Sequence, residues 1–140
     1  MSTRMTTHSA YITESDFDRL SQLIDSPRYT LAAARRFGLR SELEQRTVVT
    51  AGDVPKSVVT MNSRVKVRDL KSSQRETYTL VYPEEADIDE NRLSVLAPLG
   101  TALLGRSAGE VVEFDAPAGK RRMRVERVVY QPEAAGDLHL

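Results

Sequence analysis

The chain has 140 residues and no cysteine, and its 20 basic and 20 acidic residues give a formal net charge of zero. This length predicts one domain, with room for a small helical appendage. The charge balance argues against binding to duplex DNA through bulk charge. The lack of cysteine excludes disulfides, thiol catalysis and thiolate metal sites. No apolar run approaches the roughly 20 residues of a membrane helix, and the first ten residues do not resemble a secretory signal, so we expect a cytoplasmic protein without membrane contact.

Two short helices are predicted after a frayed tail of ten residues. Thr13 is a typical helix N-cap, with Asp16 completing an approximate capping box, and the helix ends at Asp25 because proline follows at position 27. A second helix is predicted from Thr30, and the short connection favours an antiparallel helical hairpin. The arm would be roughly 20 Å long and marginally stable alone. The candidate inward-facing positions are Phe17, Leu20, Leu23, Ile24, Leu31, Arg35, Leu39 and Leu43.

From about residue 53, alternation of apolar and polar residues predicts strands. Residues 98–104 read as one short helix, with Pro98 in the first turn and Gly105 as the C-cap. The predicted fold class is therefore α+β: an N-terminal tail and helical hairpin over residues 1–52, then a small, mostly antiparallel sheet with one short helix over residues 53–140. The predicted strands are residues 64–68, 77–82, 93–96, 111–115 and 120–130, and residues 131–140 are predicted to be a tail.

Four collinear segments resemble the C-terminal domain of the Gre transcript-cleavage factors, in the branch of the regulators of nucleoside diphosphate kinase. They are VVTMNSRVKV (58–67), YTLVYP (78–83), LSVLAPLGTALLG (93–105) and YQPEAAGD (130–137). The resemblance covers residues 53–137 closely and the helices only by their arrangement. It implies an FKBP-like C-terminal domain that docks on RNA polymerase near the rim of its secondary channel.

The same resemblance implies a regulator rather than an enzyme. In Gre factors a long N-terminal coiled coil enters the channel, where acidic residues at its tip help to hold a magnesium ion for hydrolysis of backtracked RNA. The regulator branch has a short coil, which implies binding without cleavage, in competition with other channel-binding factors. Any nucleic-acid contact is then expected to be indirect, within the transcription complex. The effect on nucleoside diphosphate kinase that names the branch need not be direct.

The tip of the predicted hairpin reads Asp25-Ser26-Pro27-Arg28-Tyr29. Metal-assisted cleavage needs several carboxylates that share a hard cation. This tip holds one carboxylate, Asp25, and Arg28 would offset its field. Asp25 is either a helix-terminal residue in a solvated turn or a contact with the channel mouth.

The predicted polymerase-binding residues are Ser94, Leu96 and Pro98. In the Gre relatives, the corner between a strand and the following helix contributes to docking, and residues 94–98 correspond to it. Ser94 and Pro98 match that pattern, whereas Leu96 and Ala97 replace polar residues, which indicates a more apolar contact. The alternative is that Val95 and Leu96 merely alternate into and out of the core.

Two charged segments have both a functional and a structural interpretation. The acidic residues 84–90 could meet a basic partner or form a solvated loop. The basic residues 120–124 could meet phosphate or form a solvated strand face.

Two enzymatic alternatives remain: a transcript-cleavage factor, and an FKBP-like peptidyl-prolyl isomerase. With five Tyr, three Phe and no Trp, the chain is poor in the aromatic residues that an isomerase pocket favours. The two histidines lie near opposite chain ends, and the sequence has no phosphate loop, nucleophile elbow or metal-ligand cluster. We expect no metal and no cofactor.

Overall fold

The computed structural model describes residues 10–27 and 33–140, with the side chains of 33–37 left out of the description. These residues form a mixed α+β structure, which confirms the predicted class. No helix in the described ranges is both long and apolar enough to span a membrane. The elements in chain order are β1 (Tyr11–Thr13), α1 (Glu14–Asp25), α2 (Ala33–Glu44), β2 (Thr47–Val49), β3 (Arg64–Asp69), β4 (Arg75–Val81), β5 (Arg92–Ser94), α3 (Pro98–Leu103), β6 (Val111–Ala116), β7 (Gly119–Tyr130) and α4 (Pro132–Ala135).

Five strands form one sheet in the order β5-β4-β3-β7-β6. The β3–β4, β3–β7 and β6–β7 pairs are antiparallel, as predicted, but β5 runs parallel to β4. The sheet is therefore mostly antiparallel, as predicted, with one parallel pair at this edge. Residues 82–91 form two 3-10 turns, Pro83–Glu85 and Ile88–Glu90, that return the chain before β5 begins. A parallel neighbour needs such a return, because a tight hairpin gives only an antiparallel pair.

A second, two-stranded sheet was not predicted. β1 pairs with β2 in parallel, with Tyr11 opposite Thr47 and Thr13 opposite Val49. Three residues per strand are too few to show an alternating pattern in the sequence. Ala10 is buried, and its carbonyl oxygen accepts the N–H of Thr47 at 2.8 Å, so residue 10 belongs to the fold rather than to a tail. The other nine residues of the predicted tail lie outside the described residues.

The two helices belong to the same core as the sheet. Leu20 and Ile24 of α1 and Leu39 of α2 are buried in one hydrophobic cluster with Val65 and Val67 of β3. The N-cap prediction is confirmed, because the Thr13 hydroxyl accepts the Asp16 N–H at 3.1 Å. The predicted start of the second helix at Thr30, with Leu31 and the side chain of Arg35, lies outside what the structure describes. The shared core stabilises helices that would be marginal in isolation.

The C-terminal ten residues are not the predicted tail. The Gln131 side chain is buried, and its Nε2 donates to the carbonyl oxygens of Pro55 and Val58, both at 2.8 Å. Pro132 begins the short helix α4, and Gly136 ends it with a φ of 82°. A proline at the first helical position and a glycine after the last one are the usual signals of a helix, here only one turn long.

Candidate functional site

The corner between β5 and α3 is a tight turn held by its own polar groups. The Ser94 hydroxyl accepts the N–H of Leu96 at 3.0 Å, and the Ser94 carbonyl oxygen accepts the N–H of Ala97 at 3.0 Å. Val95 is fully buried, and the Thr101 hydroxyl donates to its carbonyl oxygen at 2.6 Å. The serine therefore shapes the turn, and the turn fixes the start of α3.

Close packing of α3 on the end of β5 requires a glycine. A Cβ on Gly100 would overlap the Ser94 carbonyl oxygen, and Val95 lies just beyond it. The Ser94 carbonyl oxygen already accepts a hydrogen bond within the turn. The end of β5 and the start of α3 therefore cannot move apart to accommodate a Cβ without breaking that bond. The corner is thus a rigid platform, which favours a binding site because little ordering is needed on association.

Leu96 and Pro98 face an open groove of about 360 Å³ between α2, α3 and β6, which we call the corner groove. Leu96 is half-buried and Pro98 is exposed. The groove also includes Ala102 and Phe114, so its lining is largely apolar at this end. Three acidic side chains complete its rim, Glu42, Glu113 and Asp115. An apolar centre with a carboxylate rim suits a partner that presents apolar side chains among basic ones.

The residues predicted at the hairpin tip are not among those that line the corner groove. Asp25 ends α1 and is exposed, and its Oδ1 accepts the Arg40 Nη2 at 2.7 Å. This ion pair connects the end of α1 to α2. Arg28 lies outside the described residues. Across the ranges that the structure describes, no group of three or more histidine, cysteine or acidic side chains could hold a metal ion.

Sequence reasoning missed the main role of Asp16. Its side chain is buried, and its carboxylate accepts the main-chain N–H of Met61 at 3.0 Å and the Arg19 guanidinium at 2.9 Å. Burial raises the pKa of the Asp16 carboxyl from 3.8 to about 6, and the charge of Glu133 adds to the rise. An Asp three residues after an N-cap is common on helix surfaces, so nothing in the local sequence marked this one as buried.

Arg19 connects this buried carboxylate to two other segments. Its guanidinium lies 5.0 Å from the centre of the Tyr82 ring and donates to the Leu140 carbonyl oxygen at 3.0 Å. Burial raises the pKa of the Tyr82 hydroxyl, and the Asp16 charge adds to the effect. The arrangement joins α1, the end of β4 and the C-terminus, and we interpret it as a structural anchor of α1.

Comparison with known proteins identifies the fold and its family. Residues 54–130, more than half of the chain, match the family described as transcription elongation factor GreA/GreB, C-terminal. The solved structure of a GreA/GreB elongation factor from Nitrosomonas europaea has a TM-score of 0.72 with 37% identity, and the match covers 89% of this chain and all of that one.

Curated relatives agree with this assignment. The regulator of nucleoside diphosphate kinase from Escherichia coli K12 is 38% identical over 130 residues, which is 90% of this chain and 93% of the relative. The elongation factor GreA of Amoebophilus asiaticus is 42% identical over 73 residues, 52% of this chain and 46% of the relative. The chain therefore belongs to the GreA/GreB family of transcription elongation factors, in the branch of the regulators of nucleoside diphosphate kinase.

Proposed function

We propose that this chain is a transcription regulator that binds RNA polymerase near the secondary channel. It competes with or modulates Gre-type elongation factors and does not stimulate transcript cleavage. The observation that carries the proposal is the β5–α3 corner, where Leu96 and Pro98 stand on a rigid turn beside the corner groove. Membership in a family of elongation factors supports polymerase as the partner.

In this proposal the residues predicted for docking divide into two roles. Leu96 and Pro98 contact polymerase, because their side chains face the groove. Ser94 acts as a positioning residue, since its hydroxyl is engaged with the Leu96 N–H. The acidic rim of the groove meets basic groups on the polymerase and speeds the encounter.

In this proposal the two helices act by occupying the mouth of the secondary channel, and they do not catalyse a reaction. We infer that residues 1–52 comprise the N-terminal tail and the short antiparallel hairpin, or coiled coil, at the channel mouth, and that residues 53–140 form the FKBP-like docking unit. Arg40 engages Asp25, the one carboxylate at the end of α1, which leaves that group less free to bind a cation. Competition needs only overlapping sites on polymerase. Any effect on nucleoside diphosphate kinase need not be direct.

Retention of RNA polymerase core enzyme on the immobilised protein tests the docking surface. The double variant Leu96→Asp/Pro98→Asp places two charges on the corner, and we expect it to lose at least about tenfold in affinity. Ile88→Asp/Leu138→Asp is the control for the two added charges, because both residues are apolar and about two thirds exposed elsewhere on the surface. Circular dichroism checks that both variants fold. Equal retention of the two folded variants would remove the corner from the proposal.

Arrested elongation complexes test the proposed lack of cleavage activity. Incubation with the protein should leave transcript lengths unchanged, while added GreA should shorten the transcripts. Excess of this protein should then slow the GreA reaction, and the corner variant should not. Shortened transcripts with this protein alone would contradict the proposal.

A further inference from the structure

The sheet has one face against the helices and one open face. Val65 and Val67 of β3 are fully buried in the core, so the residues that alternate with them project to the opposite side. The open side carries six basic side chains near its centre, and none of them is fully buried. We call this surface the basic face, and it consists of Arg64, Lys66, Arg68, Arg75, Arg124 and Arg127.

The register places like charges directly opposite each other. Arg68 of β3 stands between Arg75 of β4 and Arg124 of β7. Lys66 stands opposite Arg127 of β7. Cross-strand pairs of like charge destabilise a sheet. Folding alone would favour carboxylates at some of these positions, and an anionic partner would relieve the repulsion.

One carboxylate compensates part of this charge. Glu126 of β7 lies 2.9 Å from the Arg75 Nε and 3.3 Å from the Arg68 Nε. Within residues 10–27 and 33–140, Lys66 and Arg127 make no ion pair. A chain of zero net charge therefore presents a local excess of positive charge on this face.

The structure also separates the basic segment 120–124 into different roles. Lys120 is paired with Asp115 at 3.0 Å, and Arg121 binds Asp69 and covers the Phe114 ring. Arg124 joins the basic face, and Arg122, two residues before it on β7, projects to the same side opposite Glu113 of β6. The basic face is therefore assembled across β4, β3 and β7, which a linear run of basic residues could not show.

We propose that the basic face binds the phosphate backbone of a single-stranded nucleic acid. Five of its six cations are arginines, whose planar guanidinium groups bind phosphate oxygens in pairs. A broad five-stranded face cannot enter a duplex groove, which admits a helix or a two-stranded ribbon. A flexible strand can lie along β3 and meet cations spaced by two residues, about 7 Å apart. This inference concerns a different surface from the corner groove and does not rest on polymerase binding.

Fluorescence anisotropy with labelled oligouridylate and oligothymidylate of about 20 nucleotides tests the proposal. Both strands should bind at low salt with similar affinity, because backbone phosphate is common to RNA and DNA. Lys66→Gln/Arg127→Gln should weaken binding by at least about fivefold and lower the salt-dependence slope by about 1. Arg40→Gln/Lys71→Gln removes the same charge from exposed sites outside the basic face and should leave both quantities near those of the unmodified chain.

Four results would overturn the inference. These are no binding at low salt, equal weakening by the two variants, tighter binding of a duplex of the same length, and equally strong binding of polyglutamate. Equal weakening would indicate bulk charge, and strong binding of polyglutamate would indicate an acidic protein surface as the partner.

Amide chemical shifts provide a second measurement on the folded protein. Addition of oligouridylate should shift amides of β3 and β7 and leave those of α3 unchanged.

Discussion

The Asp16 carboxylate accepts the main-chain N–H of Met61 at 3.0 Å, across 45 residues of chain. This bond joins the first turn of α1 to the segment just before β3. The acceptor is a buried carboxylate whose pKa is raised to about 6. The protein thus holds its first helix with a carboxyl group whose protonated form is favoured by burial in the folded state.

Stability should therefore decrease as the pH rises through the titration range of Asp16. The folded state holds this proton more tightly than the unfolded state, whose carboxyl titrates near 3.8. Between pH 4 and 6 the folded state binds more protons, so the free energy of unfolding falls with pH by up to about 3 kcal/mol from this group. Urea denaturation of the unmodified chain and of Asp16→Asn gives the contribution as a difference. A difference that does not change with pH would contradict this expectation.

Two glycine substitutions should have opposite effects. Gly100→Ala places a methyl group against the Ser94 carbonyl oxygen and should destabilise the fold by about 2 kcal/mol. Gly38→Ala adds a methyl group to α2 with nothing within 4 Å and should stabilise it by up to about 1 kcal/mol. Chemical denaturation measures both. Similar effects from the two variants would show that the corner tolerates expansion.

Arg46 should contribute far more to stability than the exposed Arg40. Arg46 is buried, and it donates to the Leu104 carbonyl oxygen and to Glu42, both at 3.0 Å. Arg46→Met leaves those acceptors without this donor and should cost roughly 3 kcal/mol. Arg40→Met removes the exposed pair with Asp25 and should cost less than about 1 kcal/mol. Thermal and urea unfolding should rank the two variants in this order, and the reverse order would disprove the argument.

The hydrogen bonds of the buried Gln131 side chain should hold the C-terminal segment against the rest of the fold. Gln131→Leu keeps the side-chain volume but leaves the Pro55 and Val58 carbonyl oxygens without their donor, at a cost of about 2 kcal/mol. Gln22→Leu, at an exposed position of α1, is the control and should change stability little. Hydrogen exchange should also be faster at residues 131–137 in the first variant alone. Unchanged exchange there would show that other contacts hold the segment.

The elements that could be predicted from the sequence are those with local signals. Alternation in β3 and β7 and the cap at Thr13 depend on neighbouring residues, and the structure confirms them. The parallel β1–β2 pair and the burial of Asp16 depend on partners more than 30 residues away, which no local pattern encodes. The parallel direction of β5 depends on the path of residues 82–91.

The candidate site also has one part that the local sequence predicts and another part that depends on tertiary packing. The segment 93–105 was enough to bring Ser94, Leu96 and Pro98 together at one corner. The opposite wall of the groove comes from α2 and β6, whose approach is a result of core packing. Phe114 is half-buried and lines this wall. Only the assembled fold shows that the corner is one side of a groove.

The parallel pairing of β1 and β2 brings together the two ends of the segment that contains α1 and α2. Residues 11–13 and 47–49 lie side by side, so the chain leaves for α1 and returns from α2 at a single junction. Leu23 and Ile24, in the last turn of α1, are buried in the shared core, so this segment is also held away from the junction. A change in the length of α1 would therefore displace core side chains.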